Sequence, residues 1–73
     1  MTNEEFRAIR QRLGLTQAQL AKVLQYDLPL TISTFERASN PRNIPTHVAL
    51  LMKAYDEGYR PKEVNGNVVF EMK

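Results

Sequence analysis

The sequence predicts an all-α domain of four or five helical segments at residues 1–60, followed by a short extended or β tail at residues 61–73. Apolar residues recur at helical spacing in four stretches of the first part. Two of these stretches follow capping boxes, which mark helix starts. The tail instead combines a proline with an Asn-Gly pair that lies between Lys-Glu-Val at residues 62–64 and Asn-Val-Val-Phe at residues 67–70, which is a hairpin signal.

Composition limits the classes of protein to consider. The chain has 73 residues and no cysteine, so it is expected to form one domain without disulfides or thiolate metal sites, as in a reducing cytoplasm. No apolar run is long enough to cross a bilayer, and the polar, acidic start is unlike a signal peptide. We therefore expect a cytoplasmic protein that has no membrane contact.

Charge is distributed unevenly along the chain. Between Phe6 and Tyr55 there are seven Lys and Arg residues and two acidic residues. Residues 56–73 contain three Lys and Arg residues and four acidic residues. A basic helical body suits a polyanionic partner, although ordinary solubilising charge would give the same count.

Local signals place the helices. The first two are predicted at residues 3–13 and 17–24, and their capping boxes pair Thr2 with Glu5 and Thr16 with Gln19.

The third helix is predicted at residues 29–38, because the proline at its first position has a preset φ and needs no N–H partner there. Either Leu28 or Asp27 would cap it. After a loop rich in Asn and Pro, a fourth helix is predicted from about residue 45 until Gly58.

The outer face of the third predicted helix is unusual. Ile32 and Phe35 lie one turn apart on its apolar side. The other side has small hydroxyls, one aliphatic side chain and a single cation at the far end, namely Leu30, Thr31, Ser33, Thr34 and Arg37. A solubilising face would carry Lys and Glu pairs, so this composition predicts close approach to another surface. We interpret the second and third helices as a helix-turn-helix whose second member enters the major groove of DNA.

Three short segments occur in a characteristic order: LGLTQAQLA at residues 13–21, TISTFER at 31–37 and PRNIP at 41–45. Together they resemble the LGLTQ-x-x-LA signature, the TIS-x-W/F-E-R segment and the following loop of the Cro/C1-type (XRE family) helix-turn-helix proteins, which include the phage repressors. The resemblance covers about residues 6–55. It implies a compact lambda-repressor-like domain that binds double-stranded DNA.

The resemblance also implies roles for particular residues. Base-facing or flanking positions correspond to Leu30, Thr31, Ser33, Thr34 and Arg37. Phosphate contacts are expected of Thr16, Gln17, Asn40, Arg42 and Asn43. The remaining pair, Arg10 and Glu36, corresponds to an internal salt bridge that some members form.

The chain departs from this family just before the third helix. The turn is one residue longer, and Pro29 and Leu30 occupy positions that often carry Gln or Ser. Neither side chain can hydrogen-bond a base edge. Leu30 could instead contact a thymine methyl group, or it could pack into the core.

We expect a sequence-specific transcriptional regulator, a repressor that binds a near-palindromic operator as a homodimer. The fourth helix and residues 68–70 are the predicted dimer contact. The alternatives are an antitoxin with a toxin as its protein partner, and a protein-interaction module that has lost DNA binding. No catalytic or metal-ligand cluster can be assembled around His47, the single histidine, so no enzyme activity, cofactor or metal is expected.

Overall fold

The computed structural model describes residues 1–59, in which four helices follow one another. They are α1 (Asn3–Arg12), α2 (Gln17–Val23), α3 (Pro29–Glu36) and α4 (Thr46–Asp56). α1 packs against both α3 and α4, and α3 also packs against α2. The predicted all-α class is confirmed for these residues. The tail and hairpin predicted at residues 61–73 lie outside them.

Both predicted capping boxes are present. The Thr2 hydroxyl oxygen accepts the Glu5 backbone N–H at 3.0 Å, and the Glu5 carboxylate accepts the Thr2 N–H at 3.1 Å. Thr16 and Gln19 repeat this arrangement at 3.1 and 2.8 Å. Each box satisfies two N–H groups that a helix start would otherwise leave unpaired.

The start of α3 depends on its proline alone. Leu28 occupies the N-cap position with extended backbone, and no side chain caps the helix there. The alternative cap, Asp27, is therefore not used. Pro29 at the first helical position fixes φ and removes one N–H that would need a partner.

Three of the four helices end in the same motif. The residue after the C-cap has positive φ, and the next residue donates its N–H to a carbonyl of the last turn. The positive-φ residues are Gly14 (73°), Gln25 (67°) and Gly58 (111°). Gln25 is the exception among them, because an L side chain is strained in this conformation.

α3 ends two residues earlier than the sequence predicted. Arg37 already has extended backbone, with φ −67° and ψ 145°. The chain then turns back through Asn40, whose φ is 55°, and the Arg42 N–H donates to the Thr34 carbonyl at 2.9 Å. This bond satisfies a carbonyl of the last helical turn, so the loop replaces the predicted continuation of the helix.

The core contains most of the apolar residues that helical periodicity predicted from all four helices. Two residues expected on the inner faces, Leu24 and Leu51, are only half-buried and pack against its edge. Phe35 lies near its centre and makes edge-to-face contacts with Phe6 at 5.5 Å and with Tyr26 at 5.9 Å between ring centroids. The buried apolar residues are Phe6, Ile9, Leu13, Leu20, Ala21, Ile32, Phe35, Val48, Met52 and Tyr55.

An ion pair joins α1 to α4 at the surface. The Arg12 guanidinium donates two hydrogen bonds to the Asp56 carboxylate, at 3.0 and 2.9 Å. These bonds hold the pKa of Asp56 below its usual value. The partners of this ion pair are 44 positions apart, so no local pattern in the sequence predicted it.

The longest helix among residues 1–59, α4, has 11 residues, about half the length that a bilayer crossing needs. None of the described helices is long and apolar enough to span a membrane.

Candidate nucleic-acid interface

The outward face of α3 presents no charged side chain. Its single charged residue, Glu36, is buried with 7% of its surface exposed. Solvent instead meets Leu30, which is 65% exposed, and the half-buried residues Thr31, Ser33 and Thr34. The exposure of Leu30 excludes the alternative in which this side chain packs into the core.

The hydroxyl of Thr34 is partly committed within the helix. Its Oγ1 donates to the Thr31 carbonyl at 2.7 Å. The hydroxyl proton is therefore used, and the oxygen can only accept hydrogen bonds from an outside group. Toward a base edge, such an oxygen would pair with an amino group of cytosine or adenine.

Glu36 is the centre of a polar cluster that joins three helices. Arg10 of α1 donates to both carboxylate oxygens, from Nε at 2.6 Å and from Nη2 at 3.1 Å. Gln17, the first residue of α2, donates from Nε2 to the same carboxylate at 3.1 Å. Arg10 Nη1 also donates to the Leu15 carbonyl at 2.9 Å. The pair implied by the family resemblance is thus part of a larger network.

This network determines where the beginning of α2 lies relative to the end of α3. The Glu36 side chain is 4% exposed and the Arg10 side chain 14%, so both charges are largely shielded from water. Such pairs contribute directional constraint more than net stability. Their effect here is to hold the Gln17 amide beside the outer face of α3, with one of its two N–H groups still available.

Thr16 has a defined orientation at the start of α2. Its backbone N–H and hydroxyl oxygen are both used in the capping box with Gln19. The residue is exposed, so the hydroxyl proton can still be donated to an outside acceptor.

Two of the predicted contact residues lie close to the end of α3: Arg37 directly follows the helix, and Arg42 lies in the loop that turns back to it. Arg42 is held there by its backbone bond to Thr34. Arg37 follows the helix rather than lying on its outer face, and its Nε donates to the Asn40 carbonyl at 2.9 Å. Asn40 and Asn43 are exposed. The structure thus places Gln17 and Arg42 beside the last turn of α3, and it separates Arg37 from the helical positions assigned to base contact.

Two residues of α1 that are not among the predicted contact residues, Asn3 and Arg7, also lie near this face. They border a notch with Gln17, Ser33 and Arg37. The Asn3 amide also donates to the Arg37 carbonyl at 3.1 Å, which ties α1 to the end of α3. No pattern in the sequence indicated this contact, because it joins residues 34 positions apart.

Among residues 1–59, no group of three or more His, Cys, Asp or Glu side chains is placed to hold a metal ion. Comparison with protein-family models, curated proteins and solved structures found no match to the chain.

Proposed function

We propose that this protein is a sequence-specific regulator of transcription that binds double-stranded DNA through a helix-turn-helix formed by α2 and α3. In this proposal the domain is of the lambda-repressor-like, Cro/C1 type. α3 lies in the major groove, and its neighbours contact the flanking phosphates. The protein acts as a repressor on a near-palindromic operator.

The observation that carries this proposal is the composition of the α3 surface. In a chain with 25% charged residues, α3 exposes only apolar and hydroxyl side chains. Groups of this kind can approach bases closely without losing the hydration of a charge. Leu30 would contact a thymine methyl group, and the Thr34 oxygen would accept from an amino group.

The surroundings of α3 suit a polyanion. Arg42 lies beside its last turn, and Gln17 lies beside Glu36 at the same end. Phosphate contacts from such flanking groups position a recognition helix, whereas base contacts supply specificity. We assign Thr16, Gln17, Asn40, Arg42 and Asn43 to phosphate contact.

The homodimer in this proposal follows from operator symmetry. One domain of this size reads half a site, and two recognition helices would lie about 34 Å apart on one face of DNA. Leu50 on α4 is 64% exposed, which makes α4 our candidate for the contact between subunits.

A second candidate function is supported by the entry to α3. Leu28 is 59% exposed and Leu30 65%, with the exposed Pro29 between them. An apolar patch of this kind also suits a protein partner. The same surface could thus belong to an interaction module that does not bind DNA.

Selection from a random duplex library, followed by titration at two salt concentrations, separates these functions. We expect a defined site that binds at least about 1,000-fold more tightly than scrambled DNA. If the selection recovers no preferred sequence, or no duplex at all, the protein is not a sequence-specific regulator of transcription.

Two variants test the assigned roles. Thr34→Val removes the hydroxyl while keeping a methyl group, and it should relax specificity at one base pair by about 1 kcal/mol, the contribution of one hydrogen bond. Arg42→Ala should weaken binding to all sequences and reduce the salt slope by about one unit. A change in base preference in Arg42→Ala would contradict its assignment to phosphate.

A further inference from the structure

A notch beside α3 has no role in the proposal so far. It lies between the first turns of α1, the start of α2 and the end of α3, and its volume is about 580 Å³. Arg7 and Glu4 border it from α1, and Ser33 and Arg37 border it from the other side. The notch adjoins the outward face of α3, because Ser33 belongs to both.

The charge of the notch is positive once internal pairs are considered. The guanidinium of Arg10 and the carboxylate of Glu36 neutralise each other through two hydrogen bonds. The remaining charged groups are Arg7 and Arg37 against Glu4. Within residues 1–59, neither Arg7 nor Arg37 forms an ion pair.

Two hydrogen bonds orient Arg37 at this notch. Its carbonyl accepts from the Asn3 amide at 3.1 Å, and its Nε donates to the Asn40 carbonyl at 2.9 Å. Only Nε of the guanidinium is used in these bonds, so its terminal N–H groups remain for an outside acceptor. Because α3 ends before this residue, Arg37 does not share the helical positions that would face bases.

We propose that this notch binds a phosphate group through the guanidinium groups of Arg7 and Arg37. The Ser33 hydroxyl and the second N–H of the Gln17 amide are the neutral donors beside them. Arginine suits this ligand because its planar N–H groups match two phosphate oxygens. The inference rests on the proposed function in one respect, since it takes the phosphate to be one of the DNA backbone. It moves Arg37 and Ser33 from base contact to backbone contact.

A DNA arm tests the site in the full-length chain. Arg7→Ala and Arg37→Ala should each lower affinity about tenfold for selected and scrambled duplexes alike, as expected for loss of a charge-assisted contact. Each should also reduce the salt slope by about 0.9. Glu4→Gln should have the opposite effect on affinity, because it removes the negative charge of the notch.

Lys53→Ala is the matched control, since it removes one exposed positive charge on α4 and should leave both quantities nearly unchanged. Circular dichroism of every variant checks the fold. If Arg37→Ala alters the preference at one base pair, the residue contacts a base and the proposal is overturned. If neither arginine variant differs from Lys53→Ala, the notch is not a phosphate site even though DNA binding stands.

A second arm uses inorganic phosphate at constant ionic strength, with chloride as the reference anion. Nuclear magnetic resonance should show shifts of the Arg7 and Arg37 Nε–H signals that Arg7→Ala suppresses. If the wild type binds no duplex but these shifts occur, the proposed function fails and the notch is a site for a free phosphate. Absence of both duplex binding and shifts overturns both proposals.

Discussion

At the scale of single residues, Glu36 needs the most specific surroundings, because its carboxylate is buried and must be hydrogen-bonded. It accepts hydrogen bonds from Arg10 and Gln17 while almost no water reaches it. A buried carboxylate without these donors would lose its hydration and gain nothing in exchange. Glu36 therefore has a structural role although it lies in the helix that we propose to face DNA.

The first prediction concerns removal of the partner of Glu36. Arg10→Met leaves the buried carboxylate unpaired and should lower the free energy of unfolding by about 3–5 kcal/mol. For a domain of this size, whose total stability is about 4–11 kcal/mol, that loss is severe. Urea denaturation followed by circular dichroism measures it.

Arg7→Met is the control, because Arg7 is exposed and forms no ion pair within residues 1–59. It should change stability by less than about 0.5 kcal/mol. Replacing both partners, in Arg10→Met with Glu36→Leu, should restore part of the loss. Equal losses in Arg10→Met and Arg7→Met would show that the pair has no special weight.

At the scale of helices, the residues at the two ends of a short helix contribute to its stability through their hydrogen bonds and backbone conformation. α2 has only seven residues, so its stability depends on the capping box at its start and the turn at its end. That turn places Gln25 at φ 67°, where glycine would be unstrained. The same position after α1 and α4 is occupied by glycine.

The second prediction follows from this difference. Gln25→Gly should raise the free energy of unfolding by up to about 1 kcal/mol, since it relieves a left-handed conformation that an L side chain adopts at a cost. The thermal midpoint should rise accordingly. Ala18→Gly, at an exposed position within α2, should instead destabilise by about 1 kcal/mol. A loss in Gln25→Gly as large as that in Ala18→Gly would refute the strain.

At the scale of the whole molecule, polar contacts connect elements that are distant in sequence. Arg12 and Asp56 join the ends of α1 and α4, and the Asn3 amide joins α1 to the loop after α3. α1 is thereby connected to both α3 and α4 by hydrogen bonds as well as by the core. The capping carboxylate Glu5 adds a further charge-dependent contact within α1.

The third prediction is a loss of stability in acid. A hydrogen bond from the Thr2 backbone N–H lowers the pKa of Glu5 from its ordinary value of 4.5. Hydrogen bonds from the Arg12 guanidinium lower the pKa of Asp56 from its ordinary value of 3.8. Because both values are lower in the folded chain, their stabilisation is fully present above about pH 4.5. It is lost as the pH falls through the lowered values.

Urea midpoints measured between pH 7 and pH 2 test this dependence. Glu5→Gln combined with Asp56→Asn should flatten the acid side of the curve, since neither replacement titrates and Gln still completes the capping box. Glu57→Gln is the control, because Glu57 forms no ion pair within residues 1–59. Parallel curves for the wild type and the double variant would rule out these two groups as the cause.

The fourth prediction concerns assembly and rests on the proposed homodimer. Leu50→Glu places a charge on the exposed centre of α4 and should shift the protein toward monomer in sedimentation velocity experiments. Leu28→Glu alters a similarly exposed leucine at the entry to α3 and should have no such effect. A shift caused only by Leu28→Glu would place the contact at α3 instead. A chain that ends at Arg60 tests the contribution of the tail.

Local sequence signals were enough to determine the helical class, both capping boxes and the core. These features depend on residues within one helical turn of each other, as the spacing of Val48, Met52 and Tyr55 illustrates. The pairing of Arg10 with Glu36 came from the family resemblance and not from local spacing. The proposed function, in contrast, depends on the composition of residues 29–37, which can be read from the sequence directly.

Only the tertiary structure decided how these pieces combine. The early end of α3 depends on a backbone bond from the following loop, so helix propensity could not reveal it. The notch near Arg7 and Arg37 exists because α1 lies against the end of α3. Contacts over 34 to 44 positions, such as Asn3 with Arg37 and Arg12 with Asp56, require the packed chain to bring their partners together. Sequence thus determined the elements and their inner faces, and packing determined which polar groups on the outer faces meet.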